Sequence, residues 1–171
     1  MIKIFAIGNV LLGDDGIAIR VIEDVQEKVK KEFYDIEVII GETDVDYCIN
    51  EIKENDFIII VDSSNFSVHS GTVIKMELEN YDKFLRKSMS HHSDSLLEVL
   101  RREYRHIKGY IVAIEISKIE YSLNLSAEIE SKFQCICNNV VDMIREIIKE
   151  EMKGNDCKVY IGKGDSSGSW V

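Results

Sequence analysis

The sequence predicts an α/β fold, a three-layer sandwich in which helices cover both faces of a mostly parallel five-stranded sheet. Short β-branched runs bounded by polar residues or glycine are typical of buried strands. They alternate with segments in which apolar residues recur at helical spacing. Strand–helix–strand repetition of this kind favours a parallel or mixed sheet with helices on both sides.

Each element follows from its own local pattern. Apolar runs predict strands over residues 2–7, 36–40, 57–61, 72–78 and 108–116. Amphipathic patterns predict helices over residues 17–29, 47–52, 93–104 and 127–152. We therefore expect residues 1–152 to form a single domain, and the Gly- and Ser-rich residues 153–171 to form a flexible tail.

The bulk composition excludes several classes of partner. The 171 residues carry a net charge of −10, which argues against a nucleic-acid binder because such proteins depend on clustered Lys and Arg. No run approaches the roughly 20 apolar residues of a membrane helix. The first residues do not resemble a secretory leader, so we expect a cytoplasmic protein with no membrane partner.

The four cysteines do not predict a metal or disulfide framework, because they are scattered and form no CxxC pair. A thiol nucleophile is also disfavoured, since no histidine lies near them in the sequence. They are Cys48, Cys135, Cys137 and Cys157.

Three metal-binding side chains fall near predicted strand ends or helix starts. Asp15 follows the first strand, Asp62 ends the third, and His92 precedes a helix. Ligands of open α/β sheets bind outside the carboxyl ends of the strands, so these groups are expected on one edge. Two carboxylates and an imidazole suit a divalent cation such as nickel or zinc. Three protein ligands would leave coordination positions open for water or substrate.

Each of these residues also has a purely structural interpretation. Acids such as Asp15 suit the N-terminus of a helix, and Asp62 would then cap a turn. The pair His91 and His92 would then be an exposed loop pair. The sequence contains no GxGxxG, GxxxxGK[ST], GxSxG or HExxH motif, so the corresponding nucleotide-binding, hydrolase and zinc-helix chemistries are not predicted.

Four short motifs resemble those of the hydrogenase maturation proteases, the endopeptidases that trim the large subunit of nickel–iron hydrogenases. GNVLLGDDGIA at residues 8–18 is similar to the family's opening GNxLxxDDGxG. Asp62 matches its strand-end aspartate, and SHHSDSL at residues 90–96 is similar to SxHxxxL, which selects His92 over His91. LSAE at residues 125–128 is similar to LSxE. The resemblance extends over about residues 1–148.

The resemblance implies that Asp15, Asp62 and His92 are the metal-contacting and catalytic residues. The metal would be nickel already carried by the substrate, a hydrogenase large-subunit precursor, whose C-terminal extension is removed by what we expect to be a monomer. Either a carboxylate deprotonates water or the cation polarises the scissile carbonyl, and the motifs do not decide between them. The expected loop-shaping residues are Gly8, Asn9, Asp14, Gly16 and Thr43.

One departure from the family pattern motivates alternatives. Where the family often has GGT after the second strand, this chain has Gly41, Glu42 and Thr43. A divergent member that processes another metalloprotein is therefore a second hypothesis. A third is a non-catalytic, flavodoxin-like module that binds a metal or small ligand.

Overall fold

A computed structural model describes residues 1–80, 91–104 and 106–159, without the side chains of residues 91–95 and 154–159. Within these residues, one sheet contains β1 (Ile2–Ile7), β2 (Ile36–Glu42), β3 (Phe57–Ser64), β4 (Val73–Glu77) and β5 (Lys108–Glu115). The helices are α1 (Ile17–Glu32), α2 (Val45–Asn50), α3 (His91–Glu103) and α4 (Ala127–Val159). Single 3-10 turns span Asp14–Gly16 and Leu78–Asn80.

The sheet confirms the predicted fold class. Its strand order is β2-β1-β3-β5-β4, and β4 alone runs antiparallel to its neighbour. Side chains alternate along β3, so Ile59 and Val61 pack in the core with α1 and α4. Ile58 and Ile60 pack in a second core with α2 and α3. Helices therefore cover both faces, as a parallel sheet requires.

Most predicted boundaries differ from the structure by one to three residues, and two of the larger differences occur near the candidate site and at the expected tail. The third strand continues beyond residue 61 to Ser64, because its polar end still pairs with β5 through Glu115. The last helix continues beyond residue 152 to Val159. The rest of the expected tail, residues 160–171, lies outside the described residues, so the division into a domain and a tail stays a prediction. No helix in the described ranges is long and apolar enough to cross a bilayer.

Lys3 places a charge inside the first strand, where the sequence predicted an apolar run. Its buried ammonium group lies 2.9 Å from the Glu37 carboxylate and 3.7 Å from that of Asp56. It also donates a hydrogen bond to the carbonyl oxygen of Glu51. Burial by itself lowers the pKa of Lys3, but the carboxylates outweigh it and raise that pKa above its usual value. This charge is therefore balanced at the amino edge of the sheet.

The direction of α3 determines which residues lie at the carboxyl edge. The Tyr104 hydroxyl, just past the end of α3, donates to the carbonyl oxygen of Ile52 at 3.0 Å. Ile52 precedes β3, so this end of the helix lies at the amino edge of the sheet. A helix of 13 residues is about 20 Å long. The first turn of α3, which contains His92, therefore lies towards the carboxyl edge.

Replacing Gly109 by alanine should destabilise the sheet by about 3 kcal/mol, since overpacking a buried backbone contact has costs of that order. A Cβ atom at this position of β5 would lie 1.9 Å from the carbonyl oxygen of Ile58 on β3. Urea unfolding measures the change. The exposed neighbour variant Lys108→Ala should stay within about 0.5 kcal/mol of wild type. Equal stability of the two variants would contradict this account of the β3–β5 contact.

Candidate functional site

The loop after β1 folds tightly over itself to present Asp15. Gly8 has φ +145°, and a Cβ atom there would lie 2.2 Å from the Asp15 carbonyl oxygen. A Cβ atom on Gly16 would lie 2.8 Å from Cα of Val10. Both positions therefore require glycine, which explains in steric terms why these residues shape the loop.

The Asp15 carboxylate is buried and held from two sides. Only 3% of the residue is exposed. The backbone N–H of Asn9 donates to Oδ2 at 3.0 Å, and the Ser63 hydroxyl donates to Oδ1 at 2.7 Å. The Asn9 side chain in turn accepts the N–H of Leu11 at 2.9 Å. A carboxylate oxygen has two lone pairs, so each oxygen of Asp15 can accept these hydrogen bonds and still bind a cation.

Asp62 lies inside β3, whereas the sequence predicted that it ends the strand. It pairs with Ala113 of β5 and is 0% exposed. Its Oδ1 accepts the backbone N–H of Ser63 at 2.8 Å. Strand alternation with Ile58 and Ile60 places Asp62 on the face of the sheet that α2 and α3 cover.

Ser63 joins the two carboxylates that the sequence predicted as one site. Its backbone N–H donates to Asp62, and its hydroxyl donates to Asp15. No sequence motif predicts this role, although Ser63 directly follows Asp62 in the strand and its side chain must therefore point to the opposite face. Asp15 and Asp62 are therefore both hydrogen-bonded to one residue of β3, one through its hydroxyl and the other through its backbone N–H.

The predicted third member of the site is described only in part. The backbone of His92 lies in the first turn of α3, and its side chain lies outside the described residues. Among the described side chains, no three His, Cys, Asp or Glu residues converge on a metal position. Thr43, another predicted site residue, is exposed in the turn after β2.

Asp14 has a different role from its neighbour. Its buried carboxylate accepts the backbone N–H groups of Ser117 and Lys118, both at 3.2 Å. It also accepts the Ser126 N–H at 2.6 Å and the Ser126 hydroxyl at 2.8 Å. These partners lie at the start and end of the segment between β5 and α4. Asp14 therefore fastens that segment to the loop that carries Asp15.

Another buried carboxylate, which no sequence motif predicts, holds the segment after β3 through hydrogen bonds. Glu115, at the end of β5, accepts the Phe66 N–H at 2.8 Å, the Val68 N–H at 3.1 Å and the Ser64 hydroxyl at 3.1 Å. No local pattern in the sequence singles out this residue, so only the fold reveals it. These hydrogen bonds to Glu115 hold the segment that follows Asp62 in one direction.

Glu128, in the first turn of α4, also holds the segment after β3, because it accepts a hydrogen bond from the Ser70 hydroxyl. Hydrogen bonds from Ser70, Lys132 and Ser117, together with the charge of Lys132, lower its pKa to about 2. Glu128 is therefore ionised throughout the neutral range and keeps these contacts.

Glu42 occupies the place of the second glycine in the related GGT motif. Its φ of +47° lies in the left-handed region, where a side chain is unfavourable. The Glu42 carbonyl oxygen accepts the N–H of Gly8 at 3.0 Å, so this strained turn supports the loop that carries Asp15.

The buried cysteines do not offer a nucleophile at neutral pH. Burial, with a smaller effect of Asp44, raises the pKa of Cys48 to about 12. Burial, with a smaller effect of Asp24, raises the pKa of Cys137 to about 11. Both side chains therefore stay as neutral thiols at neutral pH.

The comparison with known families settles what the chain is related to. A sequence model of the family described as hydrogenase maturation protease matches residues 19–149. The chain belongs to the hydrogenase maturation protease family. The matched range includes Asp62 and His92 and begins after Asp15. The resemblance seen in the sequence motifs is thereby confirmed.

One relative found by sequence comparison agrees with this family assignment. The hydrogenase expression/formation protein HupD of Thiocapsa roseopersicina is 27% identical over 100 residues, which span 58% of this chain and 45% of HupD. This chain thus spans about half the length of that relative.

Solved structures share the fold of this maturation protease family member. The hydrogenase maturating endopeptidase HybD from E. coli superposes with a TM-score of 0.69 and 21% identity, covering 85% of this chain and 92% of that one. HybD from Thermococcus kodakarensis superposes with a TM-score of 0.65 and 21% identity, covering 83% and 97%. At this identity the likeness concerns the fold.

Replacing Asp14 by asparagine should lower the free energy of unfolding by about 2–3 kcal/mol, because hydrogen bonds to a charged group are lost. The side-chain amide nitrogen of the asparagine would also face an N–H or O–H group that now donates a hydrogen bond to the carboxylate. Urea unfolding measures the loss. The control variant Asp35→Asn changes an exposed aspartate before β2 and should stay within about 0.5 kcal/mol of wild type. An equally small loss for Asp14→Asn would refute the fastening role.

Replacing Glu42 by glycine should stabilise the protein by about 0.5–1 kcal/mol, since glycine removes the strain of a left-handed side chain. Thermal and urea unfolding measure the gain. Thr43→Gly is the matched control, because Thr43 has no positive φ, and this variant should be destabilised. Parallel losses in both variants would show that the turn at Glu42 is not strained.

Proposed function

We propose that this chain is an endopeptidase that removes the C-terminal extension of a nickel-loaded hydrogenase large-subunit precursor. One observation carries the proposal beyond family membership. Ser63 couples two buried carboxylates, Asp15 and Asp62, near the edge to which the first turn of α3 brings His92. Parallel α/β sheets bind their ligands at this edge.

In this proposal, Asp15, Asp62 and His92 recognise the nickel ion that the precursor carries. Carboxylate oxygen and imidazole nitrogen are suitable donors for nickel. The ion belongs to the substrate, so a precursor without nickel would lack the group that these residues bind. Recognition of the metal would thereby restrict cleavage to the filled precursor.

The burial of Asp62 supports a functional role. β3 is buried along its whole length, and an ionised group there costs stability unless it is compensated. The Ser63 N–H provides one compensating hydrogen bond. A buried carboxylate at the carboxyl end of a parallel strand lies where α/β sheets bind ligands, so we infer that Asp62 has a chemical role.

For the cleavage step, we infer that a carboxylate of the pair accepts a proton from the attacking water. The substrate's ion would polarise the scissile carbonyl, and the carboxylate would return its proton to the amine nitrogen as the C–N bond breaks. The hydrogen bonds to Asp15 fix its direction before the substrate binds, which lowers the cost of reaching the reactive geometry. We further propose that the chain acts as a cytoplasmic monomer that binds neither nucleic acid nor membrane.

His92→Ala and Asp62→Asn should each lower kcat/KM for the nickel-loaded precursor by at least about 100-fold, because each removes a proposed ligand of the ion. Shortening of the precursor on a gel, followed over time, measures the rate. Nickel-free precursor should stay uncut by the wild-type protein.

Matched controls separate this effect from a disturbed fold. His91→Ala changes the adjacent histidine, which the SxHxxxL motif does not select, and Asp35→Asn changes an exposed aspartate. Both variants should cleave within about threefold of wild type, because neither removes a proposed ligand of the ion. Intact cleavage by His92→Ala would remove that residue from the site. No cleavage of the authentic nickel-loaded precursor by the wild type would favour another metalloprotein substrate or a non-catalytic binding module.

A further inference from the structure

Two loops at the carboxyl edge pair to form one rigid unit beside Asp15. They are the loop after β1, residues 9–13, and the segment between β5 and α4, residues 116–126. The Gly13 N–H donates to the Ser122 carbonyl oxygen at 2.9 Å, and the Ser122 N–H donates to that of Leu11 at 3.1 Å. The Asp14 carboxylate fastens both ends of the longer segment.

This unit exposes large apolar side chains to solvent. The exposed fractions are 56% for Leu11, 56% for Ile119, 93% for Tyr121 and 66% for Leu123. We call these four residues the apolar ledge. Arg20 of α1 donates to the Leu123 carbonyl oxygen, which ties the ledge to the body of the protein. An exposed apolar cluster on a fixed backbone is typical of an interaction site.

The charges around the apolar ledge indicate which kind of polypeptide could bind there. Lys118 and Glu120 pair with each other at 2.7 Å, so the ledge segment is locally balanced. The whole chain carries a net charge of −10. Two copies of a chain with this net charge repel each other as whole molecules, which disfavours self-association through the ledge. An uncharged segment of a different polypeptide meets no such repulsion.

We propose that the apolar ledge docks an uncharged, apolar segment of the precursor polypeptide next to the bond that is cut. This inference rests on the proposed function and adds a surface for substrate binding that contains none of the metal-recognising residues. Position supports it: Asp14 binds the ledge segment directly and is adjacent in sequence to Asp15. The loop that carries Asp15 also contributes Leu11 to the ledge, so a substrate segment docked there contacts this loop of the candidate site.

The ledge contacts parts of the substrate that do not react. Such binding energy is present before and during the reaction, so its loss raises KM and leaves kcat unchanged. The metal-recognising residues should behave differently, because they act on the reacting centre. A KM-against-kcat comparison therefore separates docking from catalysis.

The test compares two matched double variants on the full chain. Tyr121→Ser/Leu123→Ser removes two side chains of the ledge, whereas Tyr34→Ser/Met152→Ser removes a similarly exposed pair at the opposite end of the fold. Cleavage of nickel-loaded hydrogenase large-subunit precursor is followed over a range of concentrations. We expect KM to rise about tenfold or more in the ledge variant with kcat retained, and neither to change in the control.

A binding measurement keeps docking and activity distinguishable. Equilibrium binding of the same precursor is measured in an Asp62→Asn background, with and without the ledge changes. Weaker binding upon loss of the ledge supports docking, even if the wild-type chain does not cleave and the proposed activity fails. Cleavage with an unchanged KM in the ledge variant overturns docking and leaves the activity intact. Wild-type protein that neither binds nor cuts the precursor overturns both.

A conservative variant and a sedimentation experiment separate docking from a fold defect and from self-association. Tyr121→Phe keeps the apolar ring and should leave KM within about threefold of wild type. A KM that rises in the double serine variant but not in Tyr121→Phe then reflects the lost apolar surface. Sedimentation of the wild type and the ledge variant measures self-association. A dimer that the ledge changes dissociate, with KM unaltered, would show that a second copy occupies the ledge and would overturn the proposal.

Discussion

The carboxylate of Asp14 is the constraint on which the carboxyl edge depends. It accepts four hydrogen bonds from three residues that lie more than a hundred positions further along the chain. An ionised carboxylate is well suited to this task, because it accepts on both oxygens and strengthens each hydrogen bond through its charge. The loop that carries Asp15 and the ledge segment are held in one arrangement as a result.

Buried carboxylates near this edge divide the work between them. Asp14 and Glu115 accept several backbone N–H groups each, which makes them structural anchors for two long connections. Asp15 and Asp62 instead share Ser63, which donates to both. The carboxylates of Asp14 and Glu115 thus stabilise the loops of the carboxyl edge. In the proposed function, those of Asp15 and Asp62 bind the substrate's ion. Packing and hydrogen-bond partners, not residue type, distinguish the two uses.

The presence of a mostly parallel sheet, the order of strands and helices along the chain, and the three layers could be predicted. These features follow from β-branched runs and helical spacing, which are local patterns. The motifs around Asp15, Asp62 and His92 identified the family for the same reason. Long-range hydrogen bonds could not be predicted: nothing near Asp14 indicates that Ser126 is its partner, and nothing near Asp62 indicates that Ser63 reaches Asp15. The strand end at Ser64 was missed because pairing with β5, not apolar content, sustains it.

The Asp14 contacts also determine when the edge can form during folding. They close a loop of about a hundred residues, and closing a long loop costs chain entropy before any contact rewards it. On a ribosome, β1 to β3 leave the exit tunnel well before Ser126 does. The nascent chain can therefore assemble its central strands early, yet the carboxyl edge is completed only when α4 emerges. The surfaces of this edge that depend on the Asp14 contacts are thereby absent until synthesis has reached α4.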